Sequence, residues 1–260
     1  YRADIDAIRA SVGNNTLLLA GSAPSYPFGV TDPIDDMAQV ARDHRLWFHV
    51  DACHGGFVLP FAKDLGYSVP PFDFTVQGVT SLSVDLHKLG YANKGASALL
   101  LSDSNNEDFQ RYSFDNWPGG HYSTAGLMGS RSAGGIASAW AMLKILGRAG
   151  YCAIVKEILT AREELTGAIE EIDGLYVLGR PDAYLVAFTA ENLDIMAISA
   201  GMEHRGWVSG HLTKPLAIHL FLDRNNANSV PEYISDLQDI IKEVRGGHWS
   251  GKDTDTSYAR

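Results

Sequence analysis

Residues 46–57 read LWFHVDACHGGF and residues 78–101 read GVTSLSVDLHKLGYANKGASALLL. These two stretches decide the fold. The apolar run 46–50 reads as a buried strand that delivers Asp51, and a second apolar-rich run starting near Val79 delivers His87 and Lys88. In an α/β protein, strands that end in this way put an acid and an amine at one edge of the sheet, where ligands bind.

The residues around these stretches support a layered α/β architecture. Residues 4–11 (DIDAIRAS) carry Ile5 and Ile8 at helical spacing, and Asn14-Asn15 breaks the pattern. Residues 16–20 (TLLLA) form a predicted strand that opens into the Gly/Pro-rich loop 21–29. Asp32 is the expected N-cap of the next helix, with Pro33 at its first position. Ile34, Met37, Ala38, Val40 and Ala41 supply that helix's apolar face. Strand, helix and strand then make a βαβ unit, whose crossover is right-handed in nearly all known cases. The predicted class is α/β, with a mostly parallel sheet, helices on both faces and a smaller α+β region behind it.

An aspartate at a strand end is by itself a common cap or turn residue, and a single lysine a common surface charge. Together at one edge they suit pyridoxal 5'-phosphate. A lysine amine condenses with the cofactor's aldehyde, and a carboxylate keeps the pyridine nitrogen protonated, so that the ring accepts electrons from a breaking bond. The wording H-V-D-A-x-x-G-G-F, followed by S-x-D-x-H-K-x-G-Y-x-x-K-G, resembles the fold-type I pyridoxal-phosphate enzymes of the group II decarboxylase superfamily. Within that superfamily it is most similar to the sphingosine-1-phosphate lyases.

The resemblance implies roles for particular residues. Asp51 would face the ring nitrogen, Ala52 would lie against the ring, Lys88 would carry the cofactor and His87 would bond its phosphate. Lys94 would assist at the site; read from its position alone, it is a strand-start charge facing water. Tyr26 belongs to a loop similar to Y-P-x-G that lines the site in the lyases, and it reads equally as a residue packing that loop on the sheet. His54 departs from the apolar residue of the lyases. It reads either as a proton-transfer group near the cofactor or as a hydrogen-bonded structural histidine. The loop 116–122 (NWPGGHY) and Gly129-Ser130-Arg131 resemble W-x-G-G-x-Y and G-S-R. Arg131 suits an anionic substrate group through two parallel hydrogen bonds, and Tyr122 joins Lys88 and Lys94 as a candidate proton carrier. Thr124-Ala125-Gly126 and Ser132 depart from the S-P-T and Pro of the lyases, which leaves the substrate open.

Composition narrows the alternatives. The chain has 260 residues, 45% of them apolar, enough for a substantial core. A net charge of −10 argues against nucleic acid as a partner. No apolar run reaches the roughly 18 residues of a membrane span. Cys53 and Cys152 lie far apart and read as reduced cytoplasmic thiols. The chain opens on Tyr1, and in the resembled family about half the length precedes the Asp51 strand. The expectation is therefore a C-terminal part of a longer protein, or one piece of a cleaved one. The Gly/Thr/Ser-rich phosphate cradle and the ring-stacking aromatic of the family lie upstream of the matching region.

From Gly134 the pattern turns to long helices, predicted over 136–146 and 151–172. Strands are predicted at 176–178, 184–189, 207–209 and 217–222, and helices at 193–205 and 230–244. His219 reads as structural. The expected division is 1–133 as the C-terminal part of a large cofactor-binding domain, 134–245 as a small domain and 246–260 as a polar flexible tail.

The resemblance implies a carbon–carbon lyase that cleaves a phosphorylated sphingoid base to a long-chain aldehyde and phosphoethanolamine. Its partners would be that phosphorylated amine and a second copy in a homodimer, or a chain carrying the missing N-terminal half. No metal is expected. An amino-acid decarboxylase needs the same acid and lysine, and an inactive truncated subunit is a third reading.

Overall fold

The structure is a computed structural model that describes residues 1–127 and 129–251. The N-terminal part comprises α1 (Ile5–Ser11), β1 (Leu18–Ser22), α2 (Ile34–His44), β2 (Trp47–Asp51), α3 (Leu59–Asp64), β3 (Ser81–Asp85) and β4 (Ser97–Leu101). Its sheet has the order β1-β2-β3-β4. The first three strands are parallel and β4 returns antiparallel to β3. The connection 86–96 is a tight loop with no crossover helix, which permits only an antiparallel return.

Alternation along β2 sets the two faces of this sheet. Phe48 and Val50 are fully buried, whereas Trp47, His49 and Asp51 point to the more open face. The buried face is covered by α2, whose Ile34, Met37, Ala38, Val40 and Ala41 all lie inside, as their spacing predicts. Gly21 of β1 makes this close packing possible, because a Cβ there would stand 2.9 Å from Ile34 Cδ1 and 3.0 Å from Met37 Sδ.

The predicted N-cap of α2 is corrected. The helix begins at Ile34 with Pro33 at the cap position and no side-chain cap bond. The Asp32 carboxylate instead accepts from the backbone N–H groups of Ser22 (2.8 Å) and Ala3 (2.9 Å). It pins the N-terminal segment to the end of β1, and a tertiary role has displaced a local one.

After β4 come α4 (Glu107–Gln110) and a small hairpin of β5 (Tyr112–Phe114) and β6 (Tyr122–Thr124). Next is α5 (Ala133–Glu171), a pair of helices joined at Gly147, whose φ of 54° breaks the spiral where the sequence predicts a gap. A second, antiparallel sheet follows, ordered β7 (Leu175–Val177), β8 (Leu185–Ala190), β10 (Leu216–Phe221) and β9 (Gly210–Thr213), with α6 (Ile195–His204) and α7 (Val230–Arg245) packed on it. The strand expected at 207–209 lies instead at Gly210–Thr213. Trp207 is drawn out of the sheet by its indole bond to Asp236 on α7 (2.7 Å).

One hydrophobic core runs through both sheets. Phe48, Val50 and Leu59 belong to the same buried cluster as Ile158, Leu165 and Ile169 of α5, Phe188 of β8 and Leu237 of α7. On the other side of the second sheet, Ala187 and Ala217 pack with Phe28 from the loop after β1. That contact carries the second sheet up to the carboxyl ends of β1 and β2. Of the polar segment 246–260, Trp249 donates to Glu243 (2.7 Å) and packs against the core, while residues 252–260 lie outside the described residues.

Candidate active site

β2 and β3 run side by side with Asp51 opposite Ser83. Asp51 Oδ1 accepts from the Cys53 backbone N–H at 2.9 Å and from the Ser83 hydroxyl at 3.3 Å. β3 continues to Asp85, and the chain then turns back so that Lys88 Nζ stands 2.9 Å from Asp85 Oδ2. Partial burial works to raise the Asp51 pKa. The hydrogen bonds from Cys53 and Ser83 and the charge of Lys88 outweigh it and hold the carboxylate below its ordinary range. Asp85 follows the same logic: burial opposes ionisation, while the Ser97 hydroxyl, Lys88 and His87 more than compensate. The acid and the amine predicted from the sequence thus share one sheet edge, with a second carboxylate between the strands holding the amine.

Below this edge, Trp47 Nε1 donates to Ser81 Oγ (2.8 Å), and the His49 ring bonds Ser81 and Ser83 through its two nitrogens (2.8 and 3.2 Å). Burial lowers the His49 pKa and outweighs the opposing charge of nearby Asp51. Ala52 is fully buried directly after the carboxylate. Burial pushes the Cys53 thiol up to about 12, so it stays protonated and is no nucleophile.

Tyr26, His54, Tyr184 and His219 form one chain of contacts beside Lys88. The Tyr26 ring stacks on His54 with centroids 5.2 Å apart, and its hydroxyl bonds His219 Nε2 at 2.6 Å. His54 Nδ1 shares a hydrogen bond with the Tyr184 hydroxyl. Burial and the charge of Lys88 lower His54 to about 4, so the ring is neutral at pH 7. Burial does the same for His219, also to about 4. His219 therefore reaches the site loop, and Tyr184 joins it, although neither was singled out for a site role. No local signal marks them, since they come from the second sheet.

The remaining predicted residues lie apart from this cluster in varying degree. His87 commits Nδ1 to the Ala96 carbonyl (2.9 Å) and turns Nε2 toward Asp85 (3.7 Å), so it stays beside the carboxylate that holds Lys88. Lys94 is exposed in the loop before β4. Tyr122 stands on β6 with its ring edge-on to Trp117 at 6.5 Å. Arg131 is exposed beside Gly126. Tyr122 and Arg131 therefore share the segment after β4 and are not joined by any described contact to the Asp51–Lys88 cluster.

The donor set fits pyridoxal phosphate. An ionised carboxylate at a strand end, a small buried alanine beside it and a lysine within electrostatic reach of that carboxylate are the groups that the ring nitrogen, ring face and aldehyde require. Residues 25–191 match the conserved domain of pyridoxal-dependent decarboxylases. The chain belongs to this family. Among its members, the sphingosine-1-phosphate lyase of Arabidopsis thaliana is 40% identical over 94% of this chain and 45% of its own length. The sphingosine-1-phosphate lyase 1 of Rattus norvegicus is 36% identical over 93% of this chain and 43% of its own. The solved structure of a Burkholderia pseudomallei sphingosine-1-phosphate lyase superposes with a TM-score of 0.91 at 38% identity, covering 95% of this chain and 56% of that one. Lactobacillus brevis glutamate decarboxylase shares the fold, with a TM-score of 0.78 at 18% identity over 94% of this chain and 58% of that one. The chain spans about half the length of the curated relatives it matches. Among the described residues no helix is long and apolar enough to cross a membrane.

Proposed function

We propose that the protein is a pyridoxal-phosphate-dependent aldehyde-lyase that cleaves a phosphorylated sphingoid base to a long-chain aldehyde and phosphoethanolamine. The observation that carries this reading is the 36–40% identity to sphingosine-1-phosphate lyases over nearly the whole chain, set on a sheet edge that joins Asp51 to Lys88.

The cofactor supplies an electron sink for the bond that breaks between the hydroxyl-bearing and amine-bearing carbons. The rest falls to the chain. Lys88 anchors the cofactor through Nζ, and Asp85 keeps that amine oriented from 2.9 Å. Asp51, ionised and held by Cys53 and Ser83, keeps a proton on the ring nitrogen. Ala52, small and buried, would lie against the ring, and His54 would be its neutral neighbour. His87 would stand near the cofactor phosphate, its orientation fixed by the Ala96 carbonyl. One of Lys88, Lys94 and Tyr122 takes the hydroxyl proton and returns one to carbon, and Lys88 is the one that stands at the Asp51 edge. Tyr26 borders the substrate, and Arg131 grips its phosphate.

The segment carrying Tyr122 and Arg131 serves a site completed by a second copy, so the working form is a homodimer. Its support is that every residue from 107 to 123 is exposed. The two free cysteines fit a cytoplasmic location.

The test is incubation of the protein, in its native assembly with added cofactor, with a phosphorylated sphingoid base and separately with glutamate and an aromatic amino acid. Long-chain aldehyde from the first, abolished in Lys88→Ala, is the expected result. Carbon dioxide from the amino acids without aldehyde makes it a decarboxylase. Absence of a cofactor absorbance band near the visible edge in wild-type protein overturns both.

A further inference from the structure

A separate cavity of about 140 Å³ lies in the C-terminal sheet, behind His219 as seen from Tyr26. Leu165 of α5, Leu222 after β10 and Val230 of α7 give it an apolar wall. Three polar atoms interrupt that wall. Ser209 Oγ, His219 Nδ1 and Tyr233 Oη are buried and belong to residues lining this cavity; the Ser209 and Tyr233 hydroxyls stand near enough to interact with each other, and none of the three makes a hydrogen bond of ordinary geometry among the described residues. Buried polar groups are almost always paired, so three under-satisfied polar atoms around one space, the His219 nitrogen foremost, mark a place that something else fills. Asn226, the remaining amide of the lining, is already used: its Nδ2 donates to Phe221 O (3.0 Å) and its Oδ1 accepts from Asp223 N–H (2.8 Å).

We propose that this cavity binds an uncharged small molecule with an apolar body of about benzene size and one hydroxyl group, and that its occupancy is transmitted through His219 to Tyr26. Size sets the body. An apolar cavity of about 150 Å³ is known to stay dry and take benzene. The polar trio adds the hydroxyl, since a hydroxyl both donates and accepts and so suits a lining of two hydroxyls and one imidazole nitrogen. Charge is excluded because the lining holds no Lys, Arg, Asp or Glu, and an unpaired buried ion is costly. Val208 and Phe221, 78% and 55% exposed, form the rim through which the molecule enters.

The link to Tyr26 is a matter of tautomers. A neutral imidazole carries one N–H. A ligand hydroxyl that donates to Nδ1 places the proton on Nε2, which then donates to Tyr26 Oη. A ligand oxygen that accepts from Nδ1–H leaves Nε2 to accept from the Tyr26 hydroxyl. Tyr26 in turn stacks on His54, so the occupant fixes the hydrogen-bond direction at the edge of the candidate active site. Gly210, opposite His219 in the ladder, is required for this arrangement, because any Cβ there would collide with the imidazole.

Binding needs no turnover to be measured, so the test is independent of the lyase reading. The protein in its native assembly is titrated calorimetrically with phenol and with benzene, and histidine-¹⁵N spectra are recorded at saturation. Phenol is expected to bind about tenfold more tightly than benzene. Ser209→Ala and Tyr233→Phe are each expected to weaken phenol about fivefold without changing benzene. The His219 nitrogens are expected to shift toward a single tautomer. Equal affinity for the two probes, no binding of phenol, or variants that leave phenol binding unchanged overturn the site. Phenol binding with the His219 signals unmoved overturns the transmission. Ser209→Ala alone decides the matter if Tyr233→Phe does not fold.

Discussion

Two parts of the molecule carry candidate site residues, and they are built differently. At the Asp51–Lys88 edge each charged group is held by this chain: Asp51 by Cys53 and Ser83, Lys88 by Asp85, and Asp85 in turn by Ser97. In the segment 107–123 every residue is exposed, and Tyr122 meets Trp117, its ladder partner Phe114 and nearby Gly129, all in its own part of the chain. The first region is a preorganised candidate site built from two strand ends and the turn after β3. The second is an exposed arm, and the role proposed for it is substrate capture. The difference teaches that mutations in the two regions should fail in different ways, through chemistry in the first and through substrate capture in the second.

The largest effect is expected from Lys88→Ala. Turnover should fall by about 10⁴-fold, with loss of the lysine-bound cofactor's absorbance and an intact circular dichroism spectrum. If turnover survives, the edge is not the site. Next is Asp51→Asn, which keeps shape but removes the charge, and should lower kcat by about 10²- to 10³-fold with little change in KM. Arg131→Ala tests the arm. It should raise KM for a phosphorylated substrate by about a hundredfold, leave kcat nearly intact, and change thermal stability by less than about 0.5 kcal/mol. A kcat loss as large as that of Asp51→Asn would erase the contrast between the two regions.

The smallest effect concerns pH. His54 is held at about 4 against 6.5 for the free side chain. As pH falls below 6.5 the unfolded chain binds the proton first, so the stability contributed by keeping this ring neutral is full above pH 6.5 and is lost progressively down to about pH 4. The loss is of order 2 kcal/mol after allowance for solvent. Denaturant titrations between these pH values should show a shallower decline in His54→Gln. An unchanged slope would mean that His54 is not buried at the edge as described.

How far the sequence carried can be judged from single residues. The helix at Ile34–His44 followed from its apolar spacing, and its five buried side chains are those predicted. The pairing of Asp51 with Lys88 followed from two strand ends and the motif around them. Asp85 stood in plain view within that motif, three residues before Lys88, yet only the turn after β3 showed it to be the lysine's partner. Asp32 looked like a helix cap and became a tether for Ser22 and Ala3. Local preference is worth about 1 kcal/mol at such a position, and two backbone donors arriving from elsewhere outbid it.

By itself the sequence determined the α/β class, the helix faces, the strand that presents the acid and the apolar run that leads to the amine, because periodicity and strand-end chemistry are local and survive without partners. Only the tertiary structure decided what stands beside them. His219 meets Tyr26 across 193 positions of chain, and Tyr184 meets His54 across 130. Contacts of that separation depend on how two sheets share one core, through Phe28 on one side and α5 on the other, and no local pattern of residues encodes which ring will face which.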